Sequence, residues 1–400
     1  MRVILLGAGA SKSYDASPTG QRVPIANDFF PTFFKLKAAA NPWVLRDGLI
    51  HYLQLQKGVS DTDAYLAAGV DIEDIHSEIA DRLASVEKEA GGISRIILSR
   101  PYNQLIFLFA TTLNEIANGP VSQSHVDLAE SLRPDDVVLT FNWDTLMDRA
   151  MAAAAGWAVD SGYGIKPHSV FRDGWSPPEY HHSPNKLIKL HGSVNWLTAH
   201  PIYEGEELVL THALPAESLF VYEHATRPYA THAGRYMDGY APLTYGYYPP
   251  NLSNVPGRSA PDGYLFVKVQ PRMPWMPEGR STKEGIPSMP LIIPPVKDKS
   301  YQFFGSLFES LWQQAGDALQ ACDEVVVIGY SFPRTDLKSL GLFKDAFVRR
   351  RSVPRVTIID PSPNRPKQVF QHELGIPKSH LRVVPGPFLG AETISPLFGS

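Results

Sequence analysis

Six short apolar runs, five of them closed by glycine or a polar side chain, set the rhythm of this 400-residue chain. Val3–Leu6 runs into Gly7-Ala8-Gly9-Ala10-Ser11, and the stretch VVLTFNWD at 137–144 ends in Asn142 and Asp144. Leu187–Leu190 leads to His191-Gly192-Ser193, Glu324–Ile328 to Gly329-Tyr330-Ser331, and the run from Arg355 closes on Asp360; Leu381–Val384 completes the set. Continuous apolar runs of this length, rich in β-branched residues, fit strands covered on both faces. Helical periodicity fills the intervals: Thr145–Ala155 stops at Gly156, and Tyr301–Leu319 and Leu337–Arg350 are amphipathic. Strand–helix alternation predicts an α/β fold, a doubly wound parallel sheet of the Rossmann-like kind in a single domain over 1–400.

Two blocks break the alternation. Residues 29–118 turn helical, with Ile72, Ile75, Ile79 and Leu83 at helical spacing and Leu105 to Leu113 apolar almost all round; this predicts a helical insertion between the first two strands. Between Pro242 and Pro295 stand twelve prolines, which exclude long helices and predict a β and loop elaboration with Tyr264–Val269 as one strand. Residues 200–300 are expected to form a lid or an assembly surface. Residues 157–186 read as loop, and Ser17–Asp28 as a loop able to fold over a ligand.

Composition narrows the function classes. A hydrophobic content of 44% supplies a full core, and a formal charge of -4 gives no overall field for a nucleic-acid backbone, so no direct nucleic-acid binding is expected. The dense basic run Arg349-Arg350-Arg351 reads as the cationic last turn of its own helix. One cysteine, Cys322, excludes a disulfide framework and a multi-cysteine zinc site; it is expected as an inert, half-buried thiol. His181-His182 and the scattered histidines of 200–232 lack metal-ligand spacing, so no metal is assigned. Without a leader or a span of membrane length, a cytoplasmic location is expected.

The carboxyl ends of parallel strands open into the ligand crevice, so the polar residues there are the site candidates. Asn142, Asp144 and His191 would bring a carboxamide, a carboxylate and an imidazole together if their strands are neighbours. Gly7, Ala8, Gly9, Ala10 and Ser11 form either a phosphate-binding turn or an ordinary βα turn. Gly329 and Ser331 would add donors to phosphates, and Asp360 either accepts from a ribose hydroxyl or shapes a turn before Pro361. Trp143, Asn195 and Trp196 read as core or crevice wall. Neither Asn142 nor His191 is expected to carry core packing.

The ordered motifs Gly7-Ala8-Gly9-Ala10-Ser11, Thr140-Phe141-Asn142-Trp143-Asp144, Lys189-Leu190-His191-Gly192-Ser193, Pro294-Pro295 before Lys297, and Ile328-Gly329-Tyr330-Ser331-Phe332 resemble those of the SIR2-like family. They look most like its bacterial anti-phage members. That resemblance implies NAD+ as substrate, with Asn142 and Asp144 orienting the nicotinamide ribose and a water and His191 as base. Protein-deacylating sirtuins carry a zinc module of two cysteine pairs, which one cysteine cannot build. The implied activity is therefore an NAD+ glycohydrolase giving nicotinamide and ADP-ribose in abortive infection; a deacylase, an ADP-ribosyltransferase or a non-catalytic sensor are the alternatives. The resemblance also implies a homo-oligomer and a partner such as a HerA-like ATPase or a short Argonaute.

Overall fold

The computed structural model describes residues 1–40, 46–88, 92–172, 175–199, 202–204, 207–209, 219–223, 272–273, 286–294, 305–333 and 336–398. The Tyr264–Val269 strand, Pro295, Lys297 and much of 200–300 lie outside them.

The six apolar runs form one sheet. Its strands are β1 (Arg2–Leu6), β2 (Val137–Thr140), β3 (Lys186–Lys189), β4 (Glu324–Ile328), β5 (Arg355–Asp360) and β6 (Leu381–Pro385). Every pairing is parallel, and the spatial order is β3-β2-β1-β4-β5-β6. Leu5 of β1 lies between Leu139 and Val327, and all five side chains of β1 are buried, as a central strand covered on both faces requires. This is the doubly wound arrangement expected from the sequence. The chain runs outward from β1 through β2 to β3 and then returns to place β4 on the other side of β1, so the topological switch point lies between β1 and β4.

Helices flank the sheet: α1 (Ala8–Ser11), α2 (Asp47–Lys57), α3 (Ile72–Lys88), α4 (Gly92–Ala117), α5 (Gln123–Glu130), α6 (Leu146–Ala154), α7 (Gly305–Ala321), α8 (Leu337–Val348) and α9 (Ala391–Phe398). Between β1 and β2 the helices α2, α3 and α4 bury a second apolar cluster that includes Leu53, Ile75, Ile79 and Phe109, while the sheet and its flanking helices form the first. Buried Arg149 of α6 donates to the carbonyls of Ala117 and Gly119 at 2.8 and 2.7 Å, which caps the end of α4, a helix whose own last turn carries no cation. At the start of β1, Arg2 pairs with Asp136 in the core, its Nε 2.8 Å from Oδ2, and so holds the amino ends of β1 and β2 together.

A second sheet begins two residues after β3. The strand Gly192–Ala199 lies at its centre between Ile286–Ile292 and Phe220–Tyr222, with Ser169–Phe171, Trp175–Ser176 and Arg272–Met273 outside. His191 is thus the junction of the two sheets. Gly192 makes the turn at φ +77°, where a Cβ would stand 2.1 Å from the Leu291 carbonyl oxygen.

Three expectations change, the first because residues 157–186, read as loop, hold the strands Ser169–Phe171 and Trp175–Ser176. Arg350 does not serve its own helix, which ends at Val348; its guanidinium donates to the carbonyls of Leu319 and Cys322 and so closes the neighbouring α7. Cys322 is wholly buried rather than half-buried, and burial pushes its thiol up.

A cluster of close backbone contacts lies at the switch point. A Cβ on Gly7 would lie 2.5 Å from the Gly329 carbonyl oxygen, one on Gly9 2.7 Å from the Gly329 Cα, and one on Gly329, at φ +61°, 2.4 Å from the Ala10 nitrogen. Gly329→Ala is therefore expected to destabilise by about 3 kcal/mol or more, whereas Gly341→Ala in α8, with open space around it, gains about 0.5–1 kcal/mol. Urea unfolding of both variants checks the pair; similar midpoints would remove the close-approach explanation.

His76 and His125 are wholly buried, and burial holds their pKa values down to about 3 and about 4, against 6.5 in the open chain. The unfolded chain then binds more protons than the folded one between those values and 6.5. Stability is expected to be full above pH 7 and to fall as pH drops through 6.5, by up to about 1.4 kcal/mol per unit for each histidine. Denaturation midpoints at pH 7, 6 and 5 should show a slope that His125→Gln reduces; an unaltered slope would count against the buried neutral state.

Candidate functional site

Asn142 and Asp144 follow β2 directly, and their side chains turn toward β1 and α1. The Asp144 carboxylate, buried, accepts from Ser11 Oγ at 2.6 Å and from the Leu146 amide at 3.0 Å, where the start of α6 favours a negative charge. Asn142 Nδ2 donates to the Gly7 carbonyl and to Ser11 Oγ, both at 2.8 Å. Ser11 is the link: its hydroxyl donates to the carboxylate and accepts from the carboxamide. Both hydrogens of Asn142 are thereby engaged, and Oδ1 is left as an acceptor on a half-buried side chain among the described residues.

Beneath this triad lies a second buried network. Lys189, 1% exposed, donates from Nζ to the Asp144 carbonyl at 2.5 Å and to Asp148 Oδ2 at 2.8 Å. Tyr163 donates to the other oxygen of Asp148 at 2.5 Å and accepts from Asn195 Nδ2 at 3.1 Å. Burial first, then the Asp148 charge, pushes the Tyr163 phenol far above its ordinary range, so it stays a donor. A buried cation with a buried carboxylate beside it is tolerable only when both are hydrogen-bonded, as here.

His191 stands on the other side of Asn142 in an aromatic box. Phe141, Trp143 and Trp312 have ring centroids 4.9, 6.5 and 6.4 Å from the imidazole, which is 4% exposed. Its Nε2 is 3.8 Å from Asp336 Oδ2, a carboxylate that also accepts from Tyr330 Oη at 2.9 Å. Tyr330 in turn stacks on Phe141 at 4.7 Å. Since β2 and β3 are neighbours, the strand ends bearing Asn142 and His191 do meet in one region. His191 nevertheless carries packing, contrary to the expectation from sequence, because it joins two sheets and fills an aromatic pocket.

The glycine turn is held by backbone bonds of its own. The amides of Gly7, Gly9 and Ala10 donate to the carbonyls of Ile328, Gly329 and Gly7 at 3.0, 2.9 and 2.9 Å. Gly9 and Gly329 thus bind each other, and Ser11 binds Asp144; Ala8 is the exposed member of the turn. Ser331 is exposed beside Phe332, which sits at φ +52°. Asp360 accepts from the Ser362 amide at 2.7 Å, the turn-forming alternative.

Three residues escaped the sequence patterns. Asp336 precedes α8 with the ordinary look of a helix start, yet it faces His191. Lys189 carried a visible signal, a lysine inside an apolar strand. His125, donor or acceptor to Ser122 Oγ at 2.7 Å, feels the Asp144 charge, which offsets part of the burial effect on its pKa; nothing in its local sequence marked it.

Comparison with known proteins gives no matching family model and no matching curated protein. Among solved structures the chain is similar to a Sir2 homologue in complex with ADP-ribose, at 13% identity and TM-score 0.38 over 99% of this chain and 90% of that one. It is also similar to a Sir2 protein bound to a propionylated peptide, at 11% identity and TM-score 0.36 over 99% and 92%. A third, Sir2 bound to an acetylated peptide, shares 10% identity at TM-score 0.33 over 99% and 92%. Likeness at this level adds nothing to what the site's own geometry carries.

Proposed function

We propose that the chain hydrolyses NAD+ at the carboxyl ends of β1, β2 and β4. The observation that carries this is the fixed carboxamide of Asn142: Ser11 and the Gly7 carbonyl engage both its hydrogens, so Oδ1 accepts, and an acceptor at a switch-point crevice suits a ribose hydroxyl. NAD+ fits the remaining features. Its pyrophosphate would lie near the Ala8 and Gly329 turns at the switch point, and its nicotinamide ribose near Asn142 and His191.

In this reaction the bond between C1′ of the ribose and the nicotinamide nitrogen breaks, and its electron pair leaves with nicotinamide. Water adds to C1′ and loses a proton, giving ADP-ribose. Pyridinium is already a good leaving group, so no acid is required. The chain's tasks are to hold the ribose, to exclude bulk water and to take the proton, the last assigned to His191. Asp144 acts through Ser11 on Asn142 and is a positioning residue. A partner chain as regulator, a HerA-like ATPase or a short Argonaute, follows from the sequence resemblance alone.

Nicotinamide release from NAD+ by the purified chain is expected to fall about a hundredfold or more in Asn142→Ala and in His191→Gln, the latter chosen because alanine would empty the aromatic box. Ser11→Ala should reduce release with a smaller change, through loss of the link to Asp144. Full activity in Asn142→Ala would end this assignment. Release that requires an added acyl-lysine peptide would show a deacylase instead.

A further inference from the structure

The opposite end of the sheet holds a second feature, unrelated to the chemistry above. The amino ends of β4, β5 and β6 open on a cavity of about 350 Å³ beside α9. Three guanidinium groups line it: Arg133 from the turn before β2, Arg355 at the first position of β5 and Arg382 at the second of β6. Glu324 is the single carboxylate among the described residues of the lining, 3.7 Å from Arg355. The guanidinium groups of Arg133 and Arg382 have no carboxylate partner among the described residues. A chain whose formal charge is -4 thus gathers local positive charge around one hollow.

A neighbouring groove shows what structural arginines look like here. It holds Arg349, Arg350 and Arg351, but Arg350 is engaged by the carbonyls of Leu319, Cys322 and Ser352. Asp317 and Asp323 share that groove. In the first cavity no carboxylate among the described residues pairs with Arg133 or Arg382, and it has the other parts of a ligand site. Thr357 and Ser379 bring hydroxyls, and His380 lies 3.2 Å from Ser379 Oγ. Leu397 and Phe398 form an apolar wall, and the guanidinium of Arg2, 4.2 Å from the centroid, steadies the Phe398 ring.

We propose that this cavity binds a phosphomonoester carrying a sugar or a nucleoside, at a site separate from the crevice where NAD+ is placed. Two unpaired guanidinium groups match a phosphate dianion, for which arginine's planar fork is better suited than a lysine point charge. The volume falls within the range of small-molecule pockets, about 300–1,000 Å³, and an aromatic wall beside the cations gives the organic part a surface. Because the carboxyl ends of the strands lie at the far side of the sheet, occupancy does not depend on the proposed hydrolysis.

Calorimetric titration of the full chain with AMP, ribose 5-phosphate and inorganic phosphate at about 150 mM salt, close to physiological ionic strength, tests it. Arg133→Ala and Arg382→Glu are both exposed substitutions, and each is expected to weaken binding of AMP at least tenfold while Asn142→Ala leaves it unchanged. AMP tighter than ribose 5-phosphate would mean that the base uses the Phe398 wall; equal binding would assign recognition to the sugar phosphate; both support the site. Inorganic phosphate bound as tightly as the two esters, AMP affinity unchanged in both arginine variants, or loss of AMP binding in Asn142→Ala would overturn it.

Discussion

The contact between two backbones at the switch point governs much of what else this molecule can do. Gly9 and Gly329 come so close that each occupies the space of the other's missing side chain. That contact seats the turn after β1 against the turn after β4, and the seating brings Ser11 under β2. Only then does the Ser11 hydroxyl reach both Asp144 and Asn142. The glycines at this crevice therefore serve the protein's own geometry first, and whatever ligand enters meets a surface already locked.

Charge is handled in the same economical way. The polar groups of this region are paired below the surface, Lys189 with Asp148 and Asp144 with Ser11 and the start of α6. The half-buried carboxamide of Asn142 keeps an acceptor to offer. Burial of an ionic network is costly unless every member has partners, and its usual return is conformational specificity rather than added stability. Such a network holds the strand ends around Asn142 in one geometry.

The strands were legible in the chain because a strand buried on both faces writes itself as an unbroken apolar run, and because polar residues at the ends of such runs have few structural reasons to be there. Asn142, Asp144 and His191 stood out on that ground. Their partners did not, since Ser11 and Asp144 lie 133 residues apart and only the sheet order joins them. His125 and Asp336 sit in unremarkable helical contexts, and their importance arises wholly from what folds against them. The basic run at 349–351 was visible but misassigned, because a guanidinium reaches far enough to close a neighbouring helix as readily as its own. The outer strands of the second sheet were missed for a simpler reason: segments such as Ser169–Phe171 and Trp175–Ser176 are too short to carry a period.

The tie made by Arg149 has a mechanical meaning. It projects from α6, the helix that starts just after Asp144, and its guanidinium donates to the last carbonyl of α4, that of Ala117, and to that of Gly119 two residues beyond the helix. A buried cation cannot release two carbonyls without stranding its charge, so the joint transmits displacement instead of yielding. Arg149 thus ties the end of α4 to the helix that follows the loop carrying Asn142. A displacement of the last turn of α4 would therefore be felt first at the opening turn of α6.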